Sequence, residues 1–149
     1  MKKLLPICIF LFAGISQIKA QEHEFHGQVT SEIWESISRI KHNVIDDYEY
    51  YPIFSDEMKA LDGRTVTLKG YMVPIKEGFH HTSFLLSVLP ISQCFFCGKN
   101  GIPMMIEVKL RKPVSYSEKV VSVKGVINLR QVNAAYSCPV VINGATLLE

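Results

Sequence analysis

The sequence predicts a mainly β protein: a small closed or partly closed barrel of five strands, preceded by an N-terminal helix. Three observations predict it. Apolar residues recur at spacings of three and four before residue 47 and at a spacing of two after residue 64. Five short β-like runs then follow, separated by turn and loop residues. Two of those runs carry an interior glycine, Gly70 and Gly125, a feature that lets a small sheet bend into a barrel.

Residues 1–20 are set apart from that fold. Lys2 and Lys3 form a positive start, Leu4–Ile15 is apolar, and Ile18-Lys19-Ala20 puts a small residue before a cut at Gln21. The apolar run is too short to span a bilayer, and Cys8 lacks the surroundings of a lipid-anchor cysteine. The expectation is a signal peptide and an exported protein, periplasmic or secreted. Its loss also changes the charge: the mature chain carries 13 Lys and Arg against 14 Asp and Glu. The charge is unevenly placed, −7 over residues 21–62 and +6 over residues 63–149. Such asymmetry is expected either as two solvated faces or as an acidic segment that docks on, or shields, a basic domain.

The mature chain then divides into an acidic helical segment, 21–51, and a β-barrel domain, 52–149. Gln21–Val29 is polar. Thr30 or Ser31 can cap a helix whose stripe is Ile33, Ile37, Ile40 and Val44, with Trp34 beside it as a packing anchor. The helix is expected to stop near Asp46-Asp47, since Pro52 disfavours helix before it. Ser55–Leu61 reads as a capped helical turn and Asp62-Gly63 as a turn. The first barrel strand begins after Arg64, with Val66, Leu68, Gly70 and Met72 on one face. Pro74–His81 is expected to be a loop, and Ser83–Leu89 the second strand. Met104–Leu110 is the third, Lys112–Glu118 a polar connection, Lys119–Arg130 the fourth, and Cys138–Glu149 a last strand kinked at Asn143-Gly144.

Several stretches of the barrel domain resemble a known family. PIFSDEMKALDGRTVTLKGYMVPI (52–75), FLLS (84–87), CFFCG (94–98) and the strand around Gly125 are similar to DUF3299, small exported bacterial proteins of undefined function. The resemblance covers residues 52–149 and implies an OB-like barrel in the cell envelope. It supplies no catalytic residues. Many members carry a single cysteine before a proline run where this chain has CFFCG, and Cys138 is not part of the family pattern.

The mature chain has three cysteines, Cys94, Cys97 and Cys138, an odd number for an exported protein. Three readings of them stay open. Cys94 and Cys97 can bite one tetrahedral zinc or copper ion, with Gly98 freeing the backbone to turn around it. In an OB barrel the last strand runs parallel beside the third, so Cys138 can join them as a third ligand. Met104 and Met105 add soft sulfur that suits copper(I), although adjacent strand residues point to opposite faces. A fourth ligand would be His80, His81 or a water, although the two histidines lie in the opposite loop. Alternatively Cys94 and Cys97 form a redox disulfide with Cys138 as partner thiol, although no βαβ context lowers a thiol pKa. Or the disulfide is structural and Cys138 a small buried residue.

Other chemistries find little support. Gly98 stands where covalent haem attachment needs histidine. Ser83, Ser87 and Ser92 lack any nucleophile motif. Lys69, Tyr71, Lys109 and Lys124 make an outward basic face with little aromatic interleaving, and export argues against nucleic acid. The expected function is a binding or accessory module of the envelope. Its partner is an envelope protein or a small ligand.

Overall fold

A computed structural model describes residues 27–91 and 104–148. Ser31 starts the first helix, its hydroxyl accepting from the Trp34 N–H, and α1 spans Glu32–Ser38. It ends there, eight residues short of the expected boundary. Strands β1 (Lys41–Asp46) and β2 (Glu49–Ile53) form an antiparallel hairpin, and β1 lies where the helix was expected to continue. Distant backbone and side chains supply the reason. Asn133 accepts from the Tyr50 N–H at 3.2 Å, the Ala134 N–H donates to the Tyr50 C=O at 2.7 Å, and the Gln131 amide donates to Pro52 at 3.0 Å. Those bonds exist only when Tyr50 and Pro52 are extended.

Ser55 caps α2 (Asp56–Leu61), whose Met58 is fully buried. Five strands follow: β3 (Thr65–Pro74), β4 (His80–Ser87), β5 (Met105–Ser115), β6 (Val121–Leu129) and β7 (Val140–Leu148). They close a barrel in the order β3-β4-β5-β7-β6, with β5 and β7 parallel and every other pair antiparallel. That order is the topology of an OB barrel, as expected. The core comprises the inward-facing Val66, Leu68, Met72, Phe84, Leu86, Ile106, Val108, Val123, Ile127 and Ile142. Trp34, Ile37 and Met58 join it from the two helices.

The interior glycines mark the bends. β3 pairs with β6 as far as Gly70 and with β4 from Tyr71 onward, so the strand changes partner at the glycine. A Cβ there would lie 2.7 Å from Leu86 Cγ and 2.8 Å from the Ser87 carbonyl oxygen. The expected kink in the last strand is present. Gly144 has φ +57, and the β6–β7 and β5–β7 registers both shift beside it.

Two further boundaries differ from expectation. His80 and His81 belong to β4 rather than to a loop, and β5 continues to Ser115 through Pro113. Thr82 alone on β4 faces residues 110–113 on β5, because the register jumps from Ser83↔Lys109 to His81↔Val114. Pro113 therefore sits in a wide bulge, where its missing N–H costs no ladder bond.

The acidic residues 21–62 make no ion pair with the basic residues 63–149 among the described residues. Arg39–Glu57 and Lys59–Asp56 lie within 21–62, and Lys109–Glu107 and Arg130–Glu107 within 63–149. Their docking is through apolar contact and backbone bonds, and their charge stays on the outside.

Candidate functional site

Strands β3, β5 and β7 all begin at one end of the barrel, since β5 and β7 are parallel and β4 and β6 run the other way. A cleft of about 490 Å³ opens at this end. Its apolar walls include Ile37 and Ile40 from the α1 region, Leu85 of β4, Ile106 of β5 and Val140 of β7. Cys138, His42, Met104 and Met105 also line it, so residues that carry a thiol, an imidazole and two thioethers border a single cavity. The Val88 N–H donates to the Met104 C=O at 3.3 Å, which extends the β4–β5 ladder by one residue, so Met104 and Met105 both border the cleft but alternate in the side they face.

Cys138 lies two residues before β7 rather than opening it. Its loop is pinned to the barrel through Arg130. The Arg130 N–H donates to the Pro139 C=O at 2.8 Å, and Nη2 donates to the Cys138 C=O at 2.6 Å and to Glu107 Oε2 at 2.8 Å. Lys109 Nζ lies 3.6 Å from the other Glu107 oxygen, so this carboxylate is held between two cations. The arrangement fixes the backbone that carries the thiol.

Burial pushes the Cys138 thiol above its ordinary pKa, the Glu107 carboxylate adds to the rise, and the Arg130 guanidinium opposes it. A neutral thiol is what this pocket prefers. Two results are expected, in a chain of residues 21–149 with Cys94 and Cys97 changed to serine. Alkylation of Cys138 is slower at pH 8 than that of a free cysteine, and it accelerates only at more alkaline pH. Stability falls above about pH 8.5, because the unfolded thiol ionises there while the folded one resists. Alkylation as fast as the free thiol's would show an exposed or activated sulfur instead.

Cys94 and Cys97 fall outside the described residues. His80 and His81 start β4 at the opposite end from Cys138. His80 Nδ1 is 3.4 Å from Ser115 Oγ, and His81 is buried with no hydrogen-bond partner for Nε2 among the described residues. Neither can serve as a fourth ligand beside Cys138. Among the described residues no three His, Cys, Asp or Glu side chains form a metal-sized group. No described helix is long and apolar enough to cross a membrane.

Three residues of the site were not anticipated: His42, Glu107 and Arg130. His42 was hidden by the helix drawn through it. Glu107 and Arg130 come together because β5 lies beside β7, with Glu107 opposite Val141, and Arg130 follows the end of β6. The one available signal was an acid inside a mostly apolar strand, MMIEVKL.

No family model matches the chain, and no curated protein or solved structure shows significant similarity to it.

Proposed function

We propose that this chain is an exported binding or accessory module of the cell envelope that holds one soft metal ion, copper(I) or zinc, at the Cys138 cleft. Cys94 and Cys97 supply the other thiolates. The observation that carries this reading is the shared cavity of Cys138, His42, Met104 and Met105. Cys97 lies seven residues before Met104 in the sequence, an extended reach of at most about 25 Å, so the C-x-x-C is tethered to that cavity. Thiolate, imidazole and thioether together suit a soft ion better than a hard one. The signal-like start at residues 1–20 and the likeness to DUF3299 over 52–149 support the envelope setting.

The raised Cys138 thiol favours a second reading, in which Cys94 and Cys97 form a disulfide and Cys138 stays neutral and idle. The two differ in what acid does. An ion must displace the Cys138 proton, so its affinity falls as pH drops, whereas a disulfide is indifferent.

Titration of reduced residues 21–149 with copper(I) and with zinc, against a chromophoric chelator, tests the proposal. One ion per chain is expected. Cys138→Ser should weaken it by about tenfold or more, since even a residue that only supports a ligand costs that much. Binding that Cys138→Ser leaves unchanged, or no binding at all, would sink it.

A further inference from the structure

Among the described residues, strand β1 is an open sheet edge. On its partner, the Tyr50 N–H bonds to Asn133, the Tyr50 C=O accepts from Ala134, and the Pro52 C=O accepts from Gln131. Tyr50 and Pro52 therefore turn their backbone groups away from β1. Val44 and His42, which face them in the register, must do the same on the other side. The N–H and C=O groups of His42 and Val44 point off the free edge, and no described backbone group bonds to them. Every residue of β1 is exposed, with Val44 at 58 % and Ile45 at 61 %.

We propose that two copies of this chain pair through β1, antiparallel, with His42 of each copy opposite Val44 of the other. The two outward residues are separated by one, so a two-fold axis through Asn43 satisfies both from both copies. Each His42–Val44 pair exchanges two N–H···O bonds, and the hairpins merge into a four-stranded sheet.

Charge selects this orientation. Lys41 stands at the start of β1, Asp46 and Asp47 at its end, and none of them makes an ion pair among the described residues. Antiparallel pairing brings the lysine of one copy toward the aspartates of the other. Parallel pairing, or an acidic partner strand, would set like charges together. Val44 and Ile45 gain cover from the second strand in the same step. An edge this short buries little area, so the dimer is weak and dissociates on dilution.

Sedimentation of residues 21–149, from micromolar to millimolar concentration, should show a reversible monomer–dimer equilibrium. Val44→Pro removes one outward N–H per copy and no bond to β2, and proline is accepted on a free edge. It should weaken association by about tenfold or more, through two lost intermolecular bonds, while the unfolding curve stays that of the wild type. Asn43→Cys provides an independent readout. On the two-fold axis the two Cα atoms stand about 4.5 Å apart, within disulfide range. Mild oxidation should then link two chains, with peptide mapping placing the bridge between the two substituted positions. A wild-type chain that stays monomeric throughout would overturn the proposal and leave the edge to an extended segment of another protein. A dimer that survives Val44→Pro and does not cross-link at position 43 would overturn it as well.

Discussion

Replacing Trp34 with alanine is expected to remove about 3–5 kcal/mol of stability, a large fraction of the roughly 5–15 kcal/mol that holds a domain folded. Trp34 is 1 % exposed, the largest fully buried side chain described. Its ring N–H donates to the Lys69 C=O of β3 at 2.8 Å. Its loss opens a cavity between α1 and the barrel, orphans that carbonyl and uncovers Ile37 and Met58. Trp34→Phe keeps most of the apolar volume and loses the hydrogen bond, so it should cost about 1–3 kcal/mol. Urea unfolding of residues 21–149 measures both. A Trp34→Ala loss below about 1 kcal/mol would mean that α1 is not docked on the barrel.

Gly125→Ala is expected to destabilise by about 1–3 kcal/mol or more, although it adds a single methyl group. Its Cβ would lie 2.6 Å from Ile142 Cγ2, 2.9 Å from the Asn143 carbonyl oxygen and 3.0 Å from Ala145 Cα. Two of the three are main chain of β7, at the bulge that Gly144 makes. The Ile142 side chain can turn, but the bulge cannot retreat without breaking its ladder with β6. Gly27→Ala serves as the control, because nothing lies within 4 Å of its added methyl. If thermal melts put both variants within experimental error of each other, the close approach of β6 and β7 is absent in solution.

These two positions also show how much the sequence disclosed. Gly125 interrupts a run of alternating apolar residues, a signal that is local and needs no structure to read. The same is true of β3, where Val66, Leu68, Gly70 and Met72 share the inner face as expected. The hairpin was not legible. Ile37, Ile40 and Val44 fit a helical stripe well enough, and what makes β1 and β2 extended is bonding to residues 131–134, some eighty positions away. The tail of β5 was missed because Lys112-Pro113 reads as a loop, and a wide bulge is what tolerates it.

The site divides along the same line. Cys138 and the two methionines stood out by their chemistry. The parallel placement of β5 and β7, on which their meeting depends, follows from the OB topology. His42 enters the cleft only because the hairpin forms. Arg130 and Glu107 meet only across strands that are distant in sequence. Nothing local distinguishes this arginine from the other basic residues of the barrel.

The most direct test of a soft metal at the Cys138 cleft is the intact mass of the native protein, purified without reductant. Native and denaturing spectra are compared, with thiols alkylated before the denaturing run. The account predicts a mass excess of one metal ion in the native spectrum, lost on denaturing to leave Cys94, Cys97 and Cys138 alkylated. A metal-free mass two hydrogens light, with a single alkylated cysteine mapping to Cys138, would contradict it. The C-x-x-C would then be a bridge, and Cys138 a buried thiol with no ligand to hold.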